Sequence, residues 1–192
     1  MCRFEGTDLI FTIFFGVFVI VATAERVKTT FQNKQPISGR KWITVVPIIT
    51  YVGIIVLGIA EYFYITRQMN YYVSITGLLI YLGGVILRKS AISVFRGDWN
   101  MHVDAQSIKS ILTSGPYKFV RHPYSLAVLF ELTGFLLLAN SYTMLLAIFV
   151  IQYPLLVLRS NFEEIALIKK FGKEYAGYRK RVITVFPVIR IV

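Results

Sequence analysis

Residues 109–124 read KSILTSGPYKFVRHPY, and the fold is organised around this polar, basic and turn-rich stretch. It lies between two long apolar segments, which is an unusual place for so much charge. Gly115-Pro116 marks a turn. Pro123 suits the first turn of a helix, where its missing N–H has no partner to lose. We therefore expect Arg121 and His122 at the mouth of a membrane helix, where cationic side chains can meet a polar ligand.

The composition of the 192-residue chain is that of a membrane protein. Hydrophobic residues make up 56% and charged residues only 16%, which is too apolar for an ordinary soluble domain. The first apolar run has no basic n-region, so we expect a retained helix rather than a cleaved signal peptide. The single cysteine cannot form an internal disulfide or a Cys-based zinc site. Two histidines are too few for a metal cluster without carboxylates, so we expect no metal.

Five apolar runs predict an all-α integral membrane protein with about five transmembrane helices. They cover Leu9–Ala24, Ile43–Ile65, Tyr71–Leu87, Tyr124–Leu138 and Thr143–Leu158. The last two are short for a crossing and are separated by the turn signal Asn140-Ser141. We expect them to form a helical hairpin that either spans twice or only dips into the membrane.

The C-terminal tail is too polar to span, and two cytoplasmic helices are expected in it. Asn161–Phe171 is predicted to be a helix that Gly172 ends. Glu174–Arg181 is predicted to be an amphipathic segment that suits an anionic membrane surface.

The positions of the basic residues predict the sidedness of the chain. Of the 21 lysines and arginines, all except Arg3 and Arg67 fall after run one, after run three or in the tail. By the positive-inside rule this places the C-terminus in the cytoplasm after five crossings. The net charge of +11 then needs a membrane as partner and no nucleic acid.

Hydrogen-bonding and turn-forming residues crowd before Arg121 and His122, and they predict a nucleotide-cofactor pocket at the membrane surface. A basic pair at a helix entrance also serves as a plain interfacial anchor. Glu163 either accepts hydrogen bonds from ribose hydroxyls or an amino group, or pairs with Arg159 four residues earlier. With Glu164 it also complements the dipole of its helix.

Three other polar residues have weaker interpretations. Glu131 lies inside run four, where a carboxylate costs about 2.5–3.5 kcal/mol on insertion scales. We expect it to be neutral, buried and bonded to a neighbouring helix, in a structural role. Glu61 lies near a helix end and is expected to be solvated. His102 is expected to be a loop hydrogen-bonding group near the cofactor. A Gly-rich phosphate fingerprint and a nucleophile elbow are both missing from the sequence, which argues against Rossmann-type and hydrolase chemistry.

The C-terminal half resembles the isoprenylcysteine carboxyl methyltransferases, whose wider membrane methyltransferase group includes phospholipid methyltransferases. The resemblance is carried by LTSGPYKFVRHPYS, the helical hairpin, RSNFEEIALIKKFGKEYAGYRKRV and a final Phe-Pro, over about residues 101–187. It implies a short, prokaryotic-type enzyme with one membrane domain over 1–192. Residues 1–95 would supply the N-terminal transmembrane helices, and 96–192 the cofactor-binding catalytic region, with the active site on the cytoplasmic side and capped by the C-terminal helices.

The resemblance also implies a set of residues for S-adenosylmethionine. By position these are His102, Lys109, Ser110, Ile111, Leu112, Tyr117, His122, Pro123, Tyr124, Ser125, Arg159 and Glu163. Family members usually carry a tyrosine two residues after the proline. Here Tyr124 follows Pro123 directly, and Ser125 takes the usual place. Asn161 and Phe162 stand where acids often occur, so more of the assignment falls on Glu163.

The implied reaction is methyl transfer to the C-terminal carboxylate of a prenylated cysteine, with S-adenosylhomocysteine as product. The prenyl chain would enter from the membrane lipid, and the already ionised carboxylate needs positioning but no general base. Arg121 or Arg159 is the predicted catalytic group that holds it.

Three alternatives stay open. A phospholipid amine N-methyltransferase would need a base such as His122 or Glu131. NADPH-dependent membrane sterol reductases share a similar Arg-His-Pro pattern but are generally longer. The third alternative is a non-catalytic membrane scaffold.

Overall fold

The computed structural model describes residues 6–31, 41–65, 68–95 and 111–184, and the regular structure in these ranges is helical. The helices are α1 (Gly6–Phe31), α2 (Lys41–Tyr64), α3 (Tyr71–Ser93), α4 (Pro123–Leu138), α5 (Tyr142–Ala147), α6 (Tyr153–Phe171) and α7 (Lys173–Arg181). A 3-10 turn covers Gly115–Lys118, and a π-helical turn covers Ile148–Gln152. The predicted all-α class is confirmed for the described part of the chain.

Several of these helices have the length and composition of membrane spans. Within the described residues, four helical segments are long and apolar enough to cross: Leu9–Thr29, Trp42–Tyr64, Tyr71–Ser93 and Tyr142–Phe171. The helix α4 is apolar but has only 16 residues, a length of about 24 Å at 1.5 Å per residue. The chain is thus built as a multi-pass membrane protein.

The chain divides into two compact units, and Met1–Pro36 is the smaller. Its helix α1 extends beyond the predicted run, through the polar residues after Ala24 to Phe31. Thr29 Oγ1 donates to the Glu25 carbonyl at 2.9 Å. Phe11 and Phe15, four residues apart, stack with ring centroids 6.3 Å apart. The larger unit, Ile37–Val192, contains all the other helices.

Helices α3 and α4 pack antiparallel with their backbones in direct contact. A Cβ atom on Gly77 would lie 2.4 Å from the Leu138 backbone nitrogen, and one on Gly134 would lie 2.3 Å from that of Tyr81. Only glycine permits such an approach, because every other residue would place a carbon inside the neighbouring backbone. The small residues therefore dictate where the two helices touch.

A buried ion pair joins the same two helices. Arg88 Nε lies 2.6 Å from Glu131 Oε1, and the two side chains are 1% and 0% exposed. Glu131 thus bonds a neighbouring helix, as predicted, and its partner there is the guanidinium of Arg88. Arg88, which the charge count assigned to the cytoplasmic segment, lies within α3.

The turn between α4 and α5 is held at the end of the unit remote from residues 121 and 122. Asn140 adopts φ 52°, and its Nδ2 donates to Ser74 Oγ at 2.7 Å. The Asn70 N–H donates to Asn140 Oδ1 at 3.0 Å. Ser141 Oγ donates to the Gly58 carbonyl at 2.8 Å. The predicted turn at Asn140-Ser141 is confirmed, and its side chains tie it to both α2 and α3.

Glu61 corrects a prediction, because it is buried and not solvated. Its side chain reaches the start of α5, where Oε1 accepts from the Thr143 N–H at 2.9 Å and Oε2 from the Met144 N–H at 3.1 Å. The first N–H groups of a helix have no partner within it, and a carboxylate there satisfies them and complements the helix dipole. Glu61 therefore caps α5.

Helix α5, the π-helical turn and α6 form one continuous helical path, so the predicted tail helix Asn161–Phe171 is the end of the last apolar helix. The π turn ends two residues before Pro154, which has no N–H for the α-helical pattern. Gln152, fully buried, donates from Nε2 to the Pro47 carbonyl at 3.3 Å and accepts from Thr50 Oγ1 at 2.8 Å. Gly172, at φ 52°, ends α6 as predicted.

Candidate active site

Four segments of the larger unit converge where α4 begins. They are the stretch before α4, the first turn of α4, the second half of α6, and α7. Pro123 is the first residue of α4, so His122 stands at the helix entrance, as predicted. Gly115 opens the preceding 3-10 turn at φ 57°, a left-handed conformation that glycine adopts without strain.

His122 lies between two carboxylates of α6. Its Nδ1 is 3.5 Å from Glu163 Oε2, and its Nε2 is 3.3 Å from Glu164 Oε1. Burial lowers the pKa of this imidazole, but the hydrogen bonds and charges of Glu163 and Glu164 outweigh burial and raise the pKa to about 9. At neutral pH His122 is therefore a cation that holds the start of α4 against α6.

Glu164 is the centre of a charge cluster that the sequence analysis did not assign to the site. Besides His122, its carboxylate contacts Arg121 Nη1 at 2.5 Å and Arg179 Nε at 3.3 Å. Its side chain is 4% exposed, whereas that of Glu163 is 35% exposed. One carboxylate thus joins the stretch before α4, α6 and α7.

The spacing of the buried residues along α6 predicts that Glu164 is buried too. The buried residues of this helix are Leu156, Val157, Arg159, Ser160, Asn161 and Glu164. Spacings of three and four residues define one face of a helix. Glu164 continues the face of Val157 and Ser160, while Glu163 lies toward its edge.

Arg159 is brought to Tyr124, so two further predicted residues meet. The guanidinium carbon lies 5.7 Å from the centre of the Tyr124 ring, within the range of a cation–π contact. Arg159 is 8% exposed. The site therefore holds a buried arginine next to an aromatic face.

Helix α7 is attached to the stretch before α4 by hydrogen bonds. Tyr178 Oη donates to the Tyr117 carbonyl at 2.7 Å. The Arg121 N–H donates to the Ile183 carbonyl at 3.1 Å. Burial raises the pKa of Tyr178 to about 12, so its phenol stays protonated and able to donate. Through these two hydrogen bonds, α7 and the residues that follow it pack against the stretch before α4.

The other predicted site residues divide into three groups. Pro123 and Ser125 are buried in the first turn of α4. Ile111, Leu112 and Tyr117 are half-buried in the stretch before α4. His102, Lys109 and Ser110 lie outside the described residues.

This arrangement offers binding groups of both charges close together. Glu163 keeps part of its carboxylate accessible, so it can accept hydrogen bonds from hydroxyl or ammonium groups of a ligand. Arg159 can bind a carboxylate through its guanidinium fork. Within the described ranges, no group of three or more His, Cys, Asp or Glu side chains could hold a metal ion.

Comparison with known proteins points to one family. The model of the isoprenylcysteine carboxyl methyltransferase (ICMT) family matches residues 75–169. A human protein-S-isoprenylcysteine O-methyltransferase is 34% identical over 127 residues, which cover 62% of this chain and 43% of that protein. The mouse protein of the same name is 37% identical over 129 residues, with the same two coverages. The chain thus spans less than half the length of these relatives.

Proposed function

We propose that the chain is a member of the isoprenylcysteine carboxyl methyltransferase family, whose model matches residues 75–169, and that it is a membrane enzyme that methylates the C-terminal carboxylate of a prenylated cysteine with S-adenosylmethionine. The observation that carries the proposal is the placement of His122 between Glu163 and Glu164. Residues 41 positions apart in the chain form one polar site at the end of an apolar bundle. Arg159 and Tyr124 lie in the same two helical segments.

The donor set suits S-adenosylmethionine, which carries a ribose diol, an ammonium group and a sulfonium. Glu163 is 35% exposed and would accept hydrogen bonds from the ribose hydroxyls or the ammonium. The half-buried Ile111, Leu112 and Tyr117 would lie against the adenosyl part. The cofactor supplies an electrophilic methyl group when bound. His122 fixes the orientation of Glu163 by holding one of its oxygens.

Arg159 is the better candidate of the two arginines for the acceptor carboxylate. Arg121 lies 2.5 Å from Glu164 and belongs to the charge cluster around that carboxylate. Arg159 lies on the ring of Tyr124, at the membrane side of Glu163 on α6. A carboxylate is ionised at neutral pH, so the residues here need only orient it in line with the methyl group and exclude water.

Amine methylation fits the site less well. An ammonium must lose a proton before it attacks, and His122 is one of the two candidate bases. With its pKa raised to about 9, His122 carries its proton at neutral pH and has no lone pair to offer. Glu131, the other candidate, is fully buried against Arg88. The similar proteins reported above are named as carboxyl-directed methyltransferases and not as reductases.

The proposed topology has five crossings with the C-terminus in the cytoplasm. This topology is supported by the packing of α4 against α3 along the length of α3. Glu131 contacts Arg88 near the end of α3, and Asn140 contacts Asn70 at the start of α3. A prenyl chain would then lie among apolar helices while its carboxylate reaches Arg159.

The test is methyl transfer by the purified protein in lipid nanodiscs. Labelled S-adenosylmethionine is offered with N-acetyl-S-farnesylcysteine and, in parallel, with phosphatidylethanolamine. We expect label in the farnesylcysteine ester alone. Replacing Arg159 by alanine should reduce turnover about 100-fold, as expected for the loss of a charge-assisted bond. The exposed arginine change Arg181→Ala should leave turnover intact. Label in the lipid amine, or full turnover by Arg159→Ala, contradicts the proposal.

A further inference from the structure

The hydroxyl of Ser160 is buried and, within the part of the chain that the structure describes, has no hydrogen-bond partner. The residue is 3% exposed and lies in the middle of α6. Among the described residues, nothing forms a hydrogen bond with its Oγ. A buried hydroxyl that makes no hydrogen bond destabilises a folded protein, because it has lost its bonds to water and gained none in return. Its presence at this position therefore calls for an explanation other than stability.

Other hydroxyls on the helices of this protein behave differently. Several donate to a carbonyl three or four residues earlier, which is the usual solution inside a helix. They are Thr29, Ser74, Thr76 and Ser93. The neighbouring Asn161 also bonds its own helix, through Nδ2 to the Val157 carbonyl at 2.8 Å. Ser160 is oriented away from this local solution.

The position of Ser160 connects it to the charge cluster. It follows Arg159 directly and lies four residues before Glu164, so it shares the buried face of Glu164 one turn away. One turn of α-helix is about 5.4 Å. Since α6 leads from the apolar bundle to the charge cluster, Ser160 lies on the membrane side of Glu164.

We propose that Ser160 is an additional acceptor-binding residue, whose hydroxyl donates a hydrogen bond to the carboxylate that Arg159 holds. The inference rests on the proposed function and deepens it, since it assigns the acceptor two neighbouring ligands on α6. A ligand that arrives from the lipid passes the membrane side of Glu164 first. The hydroxyl is unpartnered until that ligand supplies the acceptor atom.

Replacement of Ser160 by alanine tests this, because it removes the hydroxyl without leaving a new unpaired group. We expect the melting temperature of the free protein to rise by about 2–4 °C. We expect KM for N-acetyl-S-farnesylcysteine to rise about tenfold, while Kd for S-adenosylmethionine, measured by calorimetry, stays unchanged. This combination separates a ligand-binding hydroxyl from a structural one.

Ser74→Ala is the matched control. Ser74 is equally buried, at 2% exposure, but its Oγ accepts from Asn140 and donates to the Asn70 carbonyl. Its removal should lower the melting temperature and leave both ligand constants unchanged. A Ser160→Ala protein that melts lower than wild type, or that keeps its acceptor KM, overturns the proposal.

A second readout keeps the Ser160 assignment independent of turnover. N-acetyl-S-farnesylcysteine is added without S-adenosylmethionine, and its stabilisation of each variant against heat is compared. A stabilisation that Ser160→Ala loses and Ser74→Ala keeps supports the site even if wild type methylates nothing, in which case only the proposed function fails. Equal stabilisation of the two variants overturns the site.

Discussion

Replacing Glu131 by leucine should destabilise the protein severely, because it removes the carboxylate that pairs with a buried arginine. Arg88 Nε and Glu131 Oε1 are 2.6 Å apart, and neither side chain is more than 1% exposed. The leucine cannot accept from the guanidinium, and the packed backbones of α3 and α4 leave little room for water to replace the carboxylate.

The expected size follows from the geometry. Removing one partner of a buried ion pair typically costs about 3–5 kcal/mol, since the other charge stays buried without compensation. Removing both charges avoids that penalty, and apolar residues of similar volume restore the packing. The double variant Arg88→Leu with Glu131→Leu should therefore lie within about 1–2 kcal/mol of wild type.

The assay is reversible unfolding in mixed micelles, followed by circular dichroism, for wild type, both single variants and the double variant. The coupling free energy from this cycle should be at least about 2 kcal/mol. A Glu131→Leu variant within about 1 kcal/mol of wild type, or a double variant as unstable as the sum of the singles, would refute the reasoning.

Three further predictions concern other contacts. His122 has a folded pKa of about 9 against 6.5 for the free side chain, so its stabilisation, on the order of 3 kcal/mol, is complete below pH 6.5 and is lost as the pH rises through 9. Unfolding measured between pH 6 and 9.5 should show this loss, and a His122→Asn variant that retains the same pH dependence would assign it to another group. Gly134→Ala places a Cβ 2.3 Å from the Tyr81 nitrogen and should abolish stable folding. The control Gly83→Ala places a Cβ with nothing within 4 Å and should stabilise α3 by about 0.5–1 kcal/mol. Equal melting temperatures for these two variants would show that α3 and α4 separate easily. Glu61→Ala should cost about 1–2 kcal/mol by uncapping α5, as measured by chemical unfolding, and Glu61→Gln should cost less because one oxygen remains; no loss in either variant would mean that water caps the helix equally well.

The helices could be predicted from the sequence because uninterrupted apolar runs leave few other structures in a membrane. The end of the last apolar helix could not be predicted from the apolar run alone. The change to polar residues at Arg159 was interpreted as the start of a separate tail helix, but α6 continues through it to Phe171. A change of composition marks where a helix leaves the lipid, while its end is marked by backbone signals such as Gly172.

Contacts between distant segments could not be predicted in the same way. Glu61 binds N–H groups 82 and 83 residues later, and no local pattern shows that a second helix begins beside it. The partner of Glu131, Arg88, lies 43 residues earlier in the chain and meets it only because α3 packs against α4. In the candidate site, the sequence motif predicts His122 and Glu163. Predicting Glu164 requires knowing which face of α6 is buried.

The contact between α3 and α4 also limits how the proposed prenylated substrate could enter the protein. Backbone atoms of α3 and α4 are in contact at Gly77, Gly84 and Gly134. An isoprenoid chain therefore cannot pass between α3 and α4 at these positions. A route in from the bilayer must open along another flank. One such flank is where Trp42 of α2 meets Phe162 of α6 edge to face, one residue before Glu163.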